Sequence, residues 1–308
     1  AQRLQFRRQF PALDALAIAR RTDGANLHRT AQILHGLGLS FSQRGDDKAA
    51  LTSFDEALQL VPPQSGHDRT RAELLSSAGV SHRRLSNYTL AEAFYREALS
   101  IQRRLLGPEH AEVGTILNNL GVLMNSSGRY DEAEPIIRES LGVRRSSLGA
   151  EHPFVANSML NLAVTLEGRG AFSDAAALYE QAARIVRSSL GPDHPRLAQV
   201  LRNWGVLLGN QQKTSEAIPL LREALRIRRV AFAEESRDVA DALSVLGAAL
   251  VRSNSFGEAE AISRQALTIN LKLHGADDEA VAVSRKDLGA LLCSTGRVSA
   301  GLAQLSEA

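Results

Sequence analysis

Cysteine is all but absent: Cys293 stands alone in 308 residues. No intramolecular disulfide can form, and no cysteine cluster can hold zinc. An intracellular setting is expected for such a chain, the cytoplasm first, with an organelle or a cytoskeletal or axonemal assembly as the other settings. Aromatic residues are scarce at 5%, and no apolar run approaches the roughly 20 residues of a membrane span, so membrane insertion is not expected. An excess of one charge is also lacking. The 36 Lys and Arg against 34 Asp and Glu leave a formal charge of +2, too little for a strongly basic nucleic-acid binder. HExxH, GxSxG, a Walker A lysine loop and a GxGxxG between strand and helix are all missing. No enzyme activity, cofactor or metal is therefore expected.

What the chain does contain is repetition. LGPEHAEVGTILNNLG begins at Leu106, LGAEHPFVANSMLNLA at Leu148 and LGPDHPRLAQVLRNWG at Leu190. A Leu-Gly pair or its equivalent recurs at Leu37-Gly38, Ala78-Gly79, Leu120-Gly121, Leu162-Ala163, Trp204-Gly205, Leu246-Gly247 and Leu288-Gly289. The first step is 41 residues and each later one 42. A fixed period of this size means stacked supersecondary units. Apolar residues at three- and four-residue spacing, such as Ile116, Leu117, Leu120 and Met124, predict two helices per unit. In the unit from Leu106 they run roughly over 112–126 and 131–146, with Gly128 as a left-handed cap between them.

Two further columns are small: Ala50, Ala91, Ala133, Ala175, Ala217, Ala259 and Gly301, then Ala57, Ala98, Ser140, Ala182, Ala224, Ala266 and Ala308. Between them lies a larger residue: Phe54, Tyr95, Ile137, Tyr179, Leu221, Ser263 or Leu305. Small residues let helices approach, and the large one fills the space beside the crossing. Ser263 departs from its column, as do Trp204, Arg285 and His82 from theirs. Cys293, in the apolar stretch LGALLC, reads as core.

This alternation resembles the tetratricopeptide repeat. The 42-residue length, the LGPEHAEV linker and the NNLG box are similar to the subtype of kinesin light chains and nephrocystin-3-like proteins. The usual repeat has about 34 residues, so the helices of this subtype are longer. The resemblance implies an all-α fold, a right-handed α-superhelical solenoid of tandem antiparallel helix pairs. One continuous domain is expected, with repeats at 22–63, 64–105, 106–147, 148–189, 190–231, 232–273 and an incomplete 274–308. Residues 1–21 fit the second helix of a preceding partial repeat, with Arg20 aligned to Arg145. The Arg-rich start would also suit a transit peptide. Repeat faces at both ends imply that the native protein extends further or is capped by a partner.

His110, His152 and His194 fall in one linker column, a repeat apart and too far to share a metal. Their acidic neighbours Glu109, Glu151 and Asp193 suit the positive end of the following helix. Asn119, Asn161 and Asn203 form another column. The resemblance implies that first helices line a groove and that these amides bond a bound peptide backbone. The competing reading is that they bond the neighbouring repeat. Arg83, Arg84, Asn118, Asn157, Gln199, Arg202 and Asn210 are the variable residues expected beside them. A basic column, Arg103, Arg145, Arg187 and Arg229, lies near the ends of the second helices. It serves either those ends or an acidic partner.

The expected function is a non-catalytic scaffold that holds a peptide or helix of another protein in the concave groove, without nucleic acid. The alternatives are a structural subunit of a large assembly, held by its convex face and ends, or the sensor module of a longer regulator.

Overall fold

The computed structural model describes residues 27–308. The expected helix at 1–21, with Arg20, lies outside the described residues. Fourteen helices follow, and no strand is present among the described residues: α1 Leu27–Gln43, α2 Asp47–Leu60, α3 Asp68–Arg84, α4 Tyr88–Leu106, α5 Ala111–Ser126, α6 Tyr130–Leu148, α7 Pro153–Gly168, α8 Phe172–Leu190, α9 Pro195–Asn210, α10 Thr214–Ala231, α11 Arg237–Arg252, α12 Phe256–His274, α13 Glu279–Ser294 and α14 Val298–Ser306. The chain divides into two compact units, 1–150 and 151–308. The first holds α1–α6 and the second α7–α14. Within each unit the helices pack as consecutive pairs.

The same three-residue turn joins every pair, which forces the two helices to run antiparallel. Its middle residue has positive φ in all seven cases: Gly45, Ser86, Gly128, Gly170, Gln212, Asn254 and Gly296. The next residue's N–H then reaches back to a carbonyl five residues earlier, as from Arg129 to Met124 at 2.9 Å and from Arg297 to Leu292 at 2.9 Å. That bond closes a Schellman cap. Phe41, His82, Met124, Leu166, Leu208, Leu250 and Leu292, each three residues after the second residue of the Leu-Gly pair, supply these carbonyls throughout.

Entry into the first helices adds a detail to the histidine column. The histidines are themselves the caps. Nδ1 of His110, His152 and His194 accepts from the N–H of Glu112, Phe154 and Arg196 at 3.2, 3.1 and 3.1 Å. Ser236 and Asp278 occupy the same column and accept from Val239 N–H at 3.3 Å and Ala280 N–H at 2.9 Å. An imidazole nitrogen thus does the work of a hydroxyl or carboxylate, satisfying an N–H that the helix leaves without a partner. His152→Ala is expected to cost about 1 kcal/mol, whereas His152→Asn should retain most of the stability. Urea midpoints compare them, and equal loss in both variants would refute the cap.

The core lies where the paired helices cross. A Cβ on Gly38, Gly79, Gly121 or Gly205 would stand 2.3, 2.7, 2.2 or 2.7 Å from Phe54, Tyr95, Ile137 or Leu221, sixteen residues on. Those four side chains are at most 3% exposed. The small columns are buried as well, except Ala308, which is exposed beyond α14. Arg285 keeps its place in α13 by pairing with Glu307. His82 is buried with its ring edge-on to Phe94 at 5.2 Å. Cys293 is half-buried rather than core: the residue of α14 set against its sulfur is Gly301, which has no side chain, and the thiol lies 4.0 Å from the Val298 carbonyl.

Candidate functional site

First helices of neighbouring pairs touch within each unit, so their polar residues share a face. Asn119, Asn161 and Asn203 are each the ninth residue of their helix, α5, α7 and α9, and each is half-buried. Asn119 belongs to the first unit; Asn161 and Asn203 belong to the second. Asn157 precedes Asn161 by one helical turn, and Gln199 precedes Asn203 likewise, which puts each pair on one helix face. Asn157 and Arg202 are half-buried, and Gln199 and Asn210 are exposed.

Two of the expected contact residues are committed elsewhere. Asn118 is 4% exposed, so it has almost no surface to offer a ligand. Arg84 donates to the carbonyl and hydroxyl oxygens of Ser42, both at 2.9 Å, and lies 3.5 Å from Asp47 Oδ1. Ser81 donates to that same carboxylate oxygen at 2.7 Å. Arg84 therefore ties α3 to the end of α1 and the start of α2. Its neighbour Arg83 is half-buried and near enough to Tyr95 to oppose the rise that burial imposes on that phenol.

The Asn column has counterparts in other repeats. Ser77 holds the position in α3, and its hydroxyl lies 2.9 Å from Nε2 of His35 in α1. In that repeat the column serves stacking. Ser77 also lines a cavity of about 280 Å³ between α3, α4 and α5. Burial lowers the His35 imidazole below its ordinary pKa, with Glu73 opposing. In α13 the position is Asp287, which lines a larger cavity of about 420 Å³ between α11, α12 and α13. Sequence periodicity marked neither hollow.

The basic column runs along the second helices, and most of its partners lie on the next second helix. Arg103 of α4 pairs with Glu139 of α6 at 2.5 Å, and Arg187 of α8 with Glu223 of α10 at 3.0 Å. Arg229 of α10 donates to Gln265 of α12 at 3.1 Å and pairs with Glu234 at 2.9 Å. Arg145 is exposed. A step of 36 residues carries each of these rungs to the next second helix, so Arg103, Arg187 and Arg229 link neighbouring pairs. A second ladder joins Arg129 to Glu92 and Arg297 to Glu260, at 2.6 and 2.5 Å. Arg129 holds the Glu92 carboxyl below its usual range, and Arg297 does the same for Glu260.

Among the described residues no group of three His, Cys, Asp or Glu could hold a metal ion, and no helix is long and apolar enough to cross a membrane.

Tandem antiparallel helix pairs with a glycine-to-bulky crossing and a shared first-helix face define an α-helical repeat protein. The sequence family confirms which one. Models of the tetratricopeptide repeat match residues 70–146, 113–188, 174–230 and 239–280, and the chain belongs to that family. Repeats of this family generally mediate protein–protein interaction and generally form non-catalytic scaffolds. No curated protein matches the chain. Solved structures are similar in fold. BtubC (BKLC) from P. vanneervenii is 20% identical, with 78% of this chain and 89% of that one covered at a TM-score of 0.58. Nearly identical kinesin light chain TPR-like repeats from Podosopora anserina are 20% identical, covering 67% of this chain and 97% of theirs at 0.56. RapI in its apo form is 14% identical, covering 90% and 95% at 0.66.

Proposed function

We propose that this protein is a non-catalytic scaffold whose first-helix face binds a peptide or helical segment of another protein. The observation that supports it most is the half-buried amide column Asn119, Asn161 and Asn203, at one register in three first helices. An amide side chain carries both a donor and an acceptor, so it can bond an extended backbone whatever its side chains. Asn157, Gln199, Arg202, Asn210 and Arg83 vary around that column and supply recognition. The second helices are occupied with each other through their ion-pair rungs, which leaves the first-helix face as the variable one. An intracellular setting, the cytoplasm first, accompanies this reading.

The test is affinity capture from a lysate, with captured proteins identified by mass spectrometry. The joint variant Asn119→Ala, Asn161→Ala and Asn203→Ala should keep its helicity by circular dichroism and lose the captured partners. A control variant, Arg103→Ala with Arg187→Ala, should retain them. If the triple variant captures the same proteins as the wild type, the groove reading is wrong. If the control alone loses them, the protein is held by its second-helix face as a structural subunit.

A further inference from the structure

The glycines of the Leu-Gly column follow one rule with one exception. Gly38, Gly79, Gly121, Gly205 and Gly289 each face a large side chain of the paired helix, from Phe54 to Leu305. Gly247 faces Ser263 instead, whose Oγ would lie 3.2 Å from a Cβ at that glycine. A side chain that fills the crossing elsewhere is missing here. The result is the cavity of about 420 Å³ between α11, α12 and α13. For scale, an apolar cavity of about 150 Å³ suffices for benzene.

The lining is chemically uneven. Ala248, Val251 and Leu291 give it apolar wall, four serines including Ser244 and Ser263 give hydroxyls, and Asp287 is its one carboxylate. Asp287 has exposed surface yet is ringed by enough protein that burial raises its carboxyl above the ordinary value, with only Lys286 opposing. No hydrogen bond or ion pair engages it among the described residues. The nearby cations are turned elsewhere. Arg285 pairs with Glu307. Arg252 lines the far end of the cavity, at the level of Ser294 and thus about 10 Å along the helix from Asp287, and its guanidinium reaches toward α9, where Nη1 would lie 3.5 Å from a Cβ on Gly209. A carboxylate beside apolar wall suits a group with a hydrocarbon stem and a cationic head.

We infer that this cavity receives a lysine or arginine side chain of the bound segment, its stem against Ala248, Val251 and Leu291 and its cation at Asp287. The inference rests on the groove reading, since the cavity opens between two first helices. Ser263 is then a specificity position: a larger residue would restore the regular crossing and close the pocket.

The probe is Nα-acetyl-lysine N-methylamide, titrated into the 15N-labelled protein, with the norleucine and glutamate analogues as comparisons. The lysine analogue should shift the amides of Gly247, Asp287 and Leu291. It should bind about threefold more tightly than the norleucine analogue, the scale of one partly exposed ion pair. Asp287→Asn should remove that preference, and Ser263→Leu should abolish binding. Leucine already fills this slot at Leu221 and Leu305, so the second variant keeps the fold. Equal binding of lysine and norleucine, no shifts at these amides, or unchanged binding in Ser263→Leu would each overturn the inference. If the analogue fails while the triple asparagine variant still loses its partners, the groove stands and the pocket falls. If the analogue binds and the triple variant loses nothing, the pocket stands and the groove falls.

Discussion

Alanine at Gly121 is expected to destabilise the first unit by about 2 kcal/mol. The sign is the test, because alanine in a helix interior normally stabilises relative to glycine by roughly 0.5–1 kcal/mol. At Gly121 a Cβ would stand 2.2 Å from Ile137 Cγ1 and 2.8 Å from its Cδ1. Ile137 is fully buried and, being β-branched, has little rotamer freedom in a helix. The helices cannot retreat cheaply either. Ala133 is fully buried one turn before Ile137, and Ser140 one turn after it donates to the Gly114 carbonyl at 2.7 Å. Gly142, in the same helix pair, is the control: nothing lies within 4 Å of its Cβ position, and Gly142→Ala should stabilise. Urea unfolding measures both. Ile137→Ala combined with Gly121→Ala should cost less than the sum of the single changes, because the clash disappears with the side chain. A Gly121→Ala protein as stable as Gly142→Ala would show that the crossing is looser than described.

The second large effect is expected at alkaline pH. Tyr95 and Tyr179 fill the large slot in α4 and α8, and both are fully buried. Burial pushes the Tyr95 phenol up to about 12, with Arg83 opposing, and raises that of Tyr179 further, aided by the Glu167 charge. An unfolded phenol titrates near 10. Above that pH the folded chain holds protons that the unfolded chain releases, so stability present below pH 10 is lost as the pH rises toward 12. For Tyr95, a shift from 10.0 to about 12 corresponds to about 3 kcal/mol. Phenolate absorbance near 295 nm from these two residues should therefore grow in step with the loss of helical circular dichroism. Tyr95→Phe and Tyr179→Phe should each move helix loss to higher pH. Ionisation of all four tyrosines below pH 11 with the helices intact would contradict the burial argument. Tyr179 has one further bond: its hydroxyl donates to Glu167 at 3.1 Å, and burial raises that carboxyl too.

Several features could be read from the columns alone. Period, pairing and the small-large-small crossing were legible because each repeat solves the same packing problem, and only a few residue types solve it. Gly128 was legible as a left-handed turn residue for the same reason. Ser86, Gln212 and Asn254 were not, since nothing in their type demands the positive φ that they adopt. The histidine column was placed at the helix starts, but its capping role was missed although a signal was available. Ser236 and Asp278 stand in the same column and are ordinary helix caps, which identifies His110, His152 and His194 as their equivalents. The basic column was placed correctly on the second helices, but nothing in the column pointed to Glu139 and Glu223 as the partners of Arg103 and Arg187. Those lie 36 residues on.

The sequence by itself determined the repeat, the helix pairs and the family, because these follow from residue size and spacing within one unit. Only the tertiary structure decided what each polar residue does. Asn118 and Asn119 are adjacent in sequence, yet one is buried and the other keeps surface. Arg84 is drawn to the end of α1, and the missing bulk at Ser263 becomes a cavity beside Asp287. Those outcomes depend on neighbouring helices a repeat away, and a pattern read within one repeat carries no information about what stands opposite.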